Sequence, residues 1–201
     1  MKDLTKIVLV CIVAVAGNFV TAYIFIDTLQ FPLFMDTIFT VAVVFYCGLI
    51  PALTVAVTYN ILEAFTLTIR GFPFEPYVML FGISGALIVL ATWFFARKKE
   101  EFKINLPITL LYLVLIAVIS SFCSIISSGI VDYIRYTMVN LPDRMAPIKN
   151  FTDSFVNQHF SLFTSCILAQ IPVSLTDRLL TTFLGYGLYK MMVQLFGEEK
   201  W

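Results

Sequence analysis

Charge is scarce in this chain. Of its 201 residues only 13% are Asp, Glu, Lys or Arg and 60% are hydrophobic, whereas soluble domains are about a quarter charged and under half apolar. Histidine occurs once, at position 159, and the four cysteines (Cys11, Cys47, Cys123, Cys166) are scattered. Without a CxxC spacing or a metal-ligand pattern, they read as small membrane-embedded hydrophobes. HExxH, GxSxG and Walker P-loop patterns are missing too. Their absence argues against an enzyme, and against ATP binding by this chain through any recognisable motif. Acidic and basic residues are equal at 13 each, which gives no basic surplus to attract nucleic acid. No cofactor is expected on the chain, and no nucleic-acid partner.

What remains is long apolar runs. Mean hydropathy is +0.92, and several runs approach or pass the roughly 20 residues that cross a bilayer. The reading is an all-α integral membrane protein, one transmembrane domain over 1–201 with six spans at about 7–26, 37–49, 52–69, 77–96, 106–131 and 173–196. The opening run resembles a signal peptide, with Ala14-Val15-Ala16 as a cleavage-like site, but it is too long for one and predicts a retained helix. The polar stretch Asp132–Gln158 is assigned to an outer loop. A short apolar run ending at Pro172 suggests an extra interfacial or re-entrant segment at about 155–171. Ser174 and Asp177 beyond it have the spacing of a helix N-terminus. One long kinked helix over 160–196 is the alternative. Six spans put both termini on one side. Lysines and arginines divide eight to four in favour of that side, with the cluster Arg97–Lys103 dominant, which makes the termini cytoplasmic in a cell membrane.

Two acids flank one hairpin around which the chain is organised: Asp36 lies 12 positions before Gly48, and Glu63 lies 12 after Pro51. At about 1.5 Å per residue each acid stands roughly 18 Å from the turn. Asn18, counted from Lys6, and Arg178, counted to Lys190, come out at the same height. Asn60 sits one turn from Glu63 on the same helix face. A charge at the centre of a span costs about 2.5–3.5 kcal/mol on insertion scales, so such groups pair with each other or meet a ligand. The candidate substrate-binding residues are Glu63, Asn60, Arg178, Asp36, Asn18 and Asp177. Internal pairing of Arg178 with Asp36, Glu63 or Asp177 is the structural alternative, and helix capping would account for Asp36 or Asp177. Ser120, Ser124, Ser127 and Ser128 stripe one face of the fifth span, where bonding back to helix carbonyls is the usual role. His159 reads as interfacial. Phe31, Phe34, Phe72 and Phe74 cluster in outer connections as a candidate lid. Small residues at Gly48, Ala52 and Ala56, and at Gly82 and Ala86, suit close helix packing.

The stretch Leu33-Phe34-Met35-Asp36-Thr37-Ile38, the Gly48 and Pro51 turn, Thr58-Tyr59-Asn60, and Ile171-Pro172 leading to Asp177-Arg178 together resemble the S components of energy-coupling factor transporters. The resemblance implies a membrane-embedded subunit that captures a vitamin-like small molecule from the outer face. It implies a transmembrane scaffold and two ATPase subunits as partners, the ATP being used by those partners. A clean AxxxA docking face is lacking on the first helix, where Val13, Gly17 and Thr21 offer a narrow surface instead. The other readings are a membrane sensor built on the same bundle and an intramembrane enzyme using the carboxylates. The substrate's identity does not follow from the sequence.

Overall fold

The computed structural model describes residues 4–98, 100–103, 105–138 and 146–197, and all regular structure among them is helical. The order is α1 (Leu4–Ala22, extended by a π-helical turn Tyr23–Thr28), α2 (Ile38–Cys47), α3 (Leu49–Ile69), α4 (Phe81–Ala96), α5 (Leu106–Met138), α6 (Ala146–Asn157) and α7 (Leu162–Phe196), with short 3-10 turns at Pro76–Leu80 and Glu101–Lys103. Four segments are long and apolar enough to cross a membrane: Leu4–Thr28, Leu49–Ile69, Pro76–Ala96 and Leu106–Met138. Large apolar side chains stand exposed along their outer faces, among them Leu9, Ile12, Val13, Val20, Leu111 and Phe122. Contiguous apolar surface of this kind suits contact with lipid.

The other two expected spans are built differently. At 10 residues, α2 is about 15 Å long, half a hydrocarbon core. It is buried on all sides, with every residue but Phe39 inside, as expected for a helix that is apolar all round. α7 has length to spare at 35 residues but carries Asp177, Arg178 and Lys190. It packs along α5, α2 and α6.

Pro172 lies inside α7 and does not end it. The expected separate segment at 155–171 is therefore corrected: its first residues close α6 and its last ten begin α7. Proline removes one helix hydrogen bond and crowds the preceding turn. Here its ring faces outward, while Cys166, Ala169, Gln170 and Val173 are buried on the other side, so packing carries the helix through. The N-terminus expected at Ser174 is corrected likewise. The cap is Ser161, whose hydroxyl accepts from Thr164 N. Between α6 and α7 the chain turns through His159 at φ 68°. Phe160 N donates to Phe155 O and His159 N to Val156 O, the paired bonds of a Schellman cap. His159 thus closes a helix.

The hairpin turn is tighter than the four residues expected. α2 ends at Cys47, Gly48 alone bridges at φ 87° and ψ −164°, and Pro51 already lies in the first turn of α3. That backbone region is open to glycine and little else.

At this end of the bundle Lys6 Nζ donates to Phe196 O and Cys11 contacts Pro51 O. Phe102, following the Arg97–Lys98 pair, packs on Phe45 and Tyr186. The first and last described helical ends, the Gly48 turn and the 101–103 turn therefore share one end. The loops 29–37 and 70–75 occupy the other.

Candidate functional site

At that second end the bundle holds a cavity of about 110 Å³. Its walls come from α3 (Tyr59, Asn60, Glu63, Leu67), α4 (Phe81, Ser84, Gly85, Ile88), α5 (Ser124, Ser128, Arg135) and α7 (Arg178), with Phe34, Asp36 and Thr37 from the loop before α2. Phe72, Pro73 and Glu75 from the α3–α4 connection cover it.

The cover is fixed at both ends by local chemistry. α3 closes with Gly71 at φ 91°. Phe72 N donates to Leu67 O and Gly71 N to Thr68 O, a second Schellman cap whose apolar pair, Phe72 and Leu67, becomes cavity wall. At the far end Glu75 grips Arg135 through both carboxylate oxygens, the bidentate geometry a guanidinium favours. Arg135 also donates to Asp132 at 3.1 Å and lies over the Phe81 ring at 5.5 Å. Asp132 accepts from Gln170, and Gln170 accepts from Ser174. The relay joins the loop, α5 and α7, and its charged members Glu75, Asp132 and Arg135 are all under 10% exposed.

Of the sequence candidates, Glu63, Asn60, Asp36 and Arg178 line the cavity. Glu63 is buried and accepts from Thr66 Oγ1 at 3.0 Å. Asn60 commits its amide nitrogen to Ala56 O at 2.8 Å. The α4 backbone comes close beside it: a Cβ on Gly85 would sit 3.3 Å from both Ala56 Cβ and Asn60 Nδ2. Arg178 is 3% exposed. It donates to Thr37 Oγ1 at 2.7 Å, pairs with Asp177, and has Asp36 Oδ1 at 3.6 Å. Its Nε has no hydrogen-bond partner among the described residues.

Asn18 and Asp177 stand behind the cavity wall. Asp177 accepts from Met35 N at 2.7 Å and so holds Met35 in its left-handed conformation at φ 50°. Asn18 accepts from Phe39 N at 3.1 Å and donates to Thr40 Oγ1 at 2.8 Å. It thereby satisfies one of the amides left over at the start of α2. Asp36 makes no cap bond there, because Thr37 is the N-cap residue and no side chain caps it. Both residues thus position the loop that carries Asp36 and Thr37. Asn18→Ala is expected to cost about 1–3 kcal/mol, the penalty for stranding buried polar partners, and to weaken ligand affinity less than a change in a lining residue does, by loosening the loop that carries Asp36 and Thr37. Thermal unfolding and a binding isotherm on the same sample separate the two effects.

The serine stripe divides. Ser120, Ser121 and Ser127 bond back to helix carbonyls, whereas Ser124 and Ser128 reach the cavity and Ser128 donates to Ser84 at 3.2 Å. Of the lid phenylalanines, Phe34 and Phe72 line the cavity, while Phe31 and Phe74 pack on Phe25 and Phe65. Gly17, suggested for docking, is used internally: a Cβ there would fall 2.6 Å from the Phe39 ring. Gly85 rather than Ala86 provides the close approach to α3.

The sequence reading missed Arg135, Asp132 and Glu75. Asp132 and Arg135 belong to α5, which runs on to Met138, and not to the outer loop that their polarity predicts. Ser124, Ser128, Asp132 and Arg135 follow one another at helical spacing, and that signal was available. Nothing local marks Glu75 as buried.

No protein-family model, curated protein or solved structure matches this chain. The fold is an all-helical bundle whose long apolar helices fit a membrane protein, with a mostly apolar cavity carrying a few buried polar groups near one end.

Proposed function

We propose that the chain is the substrate-binding subunit of an importer of the energy-coupling factor type. In this reading it captures a vitamin-like small molecule from the outer face and passes it inward with a scaffold and two ATPase subunits. Six membrane crossings are part of the proposal, α2 and α7 included, with both termini cytoplasmic and the cavity opening outward. The observation that carries it is the cavity, covered by the 70–75 loop and lined by buried polar groups on four helices. Ligand sites are typically concave and mostly apolar, with a few convergent polar groups. Phe34, Leu67, Phe72, Val78, Phe81 and Ile88 supply the apolar part here.

The test is purification of the full chain in mild detergent, followed by mass spectrometry of the small molecules released on denaturation. One compound should be enriched in near-equimolar amount. Glu63→Gln and Arg178→Ala should each weaken its rebinding about tenfold or more, since an unmatched buried polar group costs about 1–3 kcal/mol. Recovery of no compound, or variants that lose thermal stability equally with and without ligand, would reduce these charges to packing groups.

A further inference from the structure

The end of the bundle opposite the cavity carries a second concavity. Where α4 ends and α5 begins, an open groove of about 560 Å³ lies between the two helices. Both belong to segments long and apolar enough to cross a membrane, so the groove stands where they leave the hydrocarbon. Its lining changes character along the helix axes. Arg97 and Lys98 follow α4 directly and are exposed at the rim. Phe94 lies one turn before Arg97, and Leu111 and Leu115 are a turn apart on α5; all three line the groove and are 53%, 59% and 38% exposed.

The rim keeps a positive charge of its own. Lys98 Nζ stands 3.7 Å from Glu101 Oε1, beyond hydrogen-bond length, and the other oxygen of Glu101 accepts from the Tyr112 hydroxyl. Arg97 and Lys98 against Glu101 leave the groove lining one positive charge. Adding Lys99, Glu100 and Lys103, the segment Arg97–Lys103 has four basic and two acidic residues. Arg97 commits Nε to Phe94 O at 3.1 Å and lies over the Phe94 ring at 4.5 Å. That placement fixes the guanidinium plane and keeps the fork of terminal nitrogens, a geometry suited to phosphate oxygens. Basic pockets between membrane helices hold anionic headgroups for this reason.

We infer that this groove is a binding site for an anionic phospholipid with a singly charged phosphodiester headgroup. The phosphate bridges Arg97 and Lys98, and the acyl chains run along Phe94, Leu111 and Leu115. A doubly charged phosphate monoester would exceed the groove's one positive charge and meet Glu101. A choline headgroup would set its own cation beside Arg97 and Lys98. The inference rests on α4 and α5 crossing a membrane and is independent of what the cavity binds.

Native mass spectrometry of the delipidated full chain in mild detergent tests it. The titrants are dioleoyl phosphatidylglycerol, dioleoyl phosphatidylcholine and glycerol 3-phosphate. Phosphatidylglycerol should bind about tenfold or more tightly than phosphatidylcholine, the scale expected of two cations at an anionic headgroup. Glycerol 3-phosphate, which lacks the chains, should not bind. Arg97→Gln combined with Lys98→Gln should erase the preference. Lys6→Gln combined with Lys190→Gln removes two charges from the same end but outside the groove, and should preserve it. Equal binding of the two lipids overturns the inference by denying charge selectivity, and binding of glycerol 3-phosphate does so by denying a role for the chains. A preference that survives the groove pair, or is lost equally with the control pair, overturns the location. Should the groove pair fold poorly, Arg97→Gln and Lys98→Gln are read singly, and a preference unchanged in both has the same consequence.

Discussion

Arg135→Leu is expected to destabilise the protein by about 3–5 kcal/mol, the usual result of removing one partner from a buried ion pair. Leucine fills much of the same volume, so the loss reports charge rather than a void. Glu75 and Asp132, 7% and 1% exposed, would face each other without the guanidinium that now joins them. Glu75→Gln should cost less, about 1–3 kcal/mol, because Arg135 keeps Asp132 and glutamine still offers an acceptor. Combining Arg135→Leu with Asp132→Asn should recover part of the loss, since one stranded charge is removed. Contacting residues show such coupling in double-mutant cycles. Reversible unfolding of the full chain in mixed micelles gives all three values. A loss below about 1 kcal/mol for Arg135→Leu would mean that water reaches the relay and that it holds the 70–75 loop only weakly.

That relay also shows what the sequence could and could not reveal. Asn60 and Glu63 stand one turn apart on α3, and three-residue spacing alone places them on one face, which is the face that lines the cavity. Gly48 announced its turn because few other residues tolerate its backbone. The level of Asp36 and Arg178 followed from helix rise, and the two lie 3.6 Å apart. Asp132 and Arg135 were misplaced because hydropathy falls at Val131, although helical periodicity continues past it. The polarity there belongs to the inner face of an emerging helix rather than to a loop. Pro172 misled for a related reason: local preference says stop, while burial of Ala169, Gln170 and Val173 keeps α7 continuous. The burial of Glu75 depends on a partner 60 positions away, which no local pattern encodes. The division of labour between Glu63, which lines the cavity, and Asp177, which holds the Met35 backbone, likewise exists only in three dimensions.

Gly185→Ala is expected to cost about 1–3 kcal/mol, the range for forcing added volume into a packed interior. A Cβ at this position would lie 2.7 Å from Val41 Cβ and 2.8 Å from Ile38 O. The carbonyl is helix backbone and cannot turn aside as a side-chain tip could, so α2 and α7 must separate. Two residues on, Gly187 has nothing within 4 Å of the same added carbon. Gly187→Ala should therefore be neutral or stabilise by up to about 1 kcal/mol, the difference in helix propensity. The pair controls for chemistry, helix and membrane environment, leaving only the approach of α2 as the variable. The consequence reaches the cavity, because α2 begins beside Asp36 and Thr37, and Thr37 receives the Arg178 hydrogen bond. Displacing α2 from α7 pulls that acceptor away from its donor. Gly185→Ala should thus lower both Tm and the affinity for bound ligand, and Gly187→Ala neither. Equal Tm values for the two variants would show that α2 is free to move outward, and would remove its role as the fixed strut behind the site.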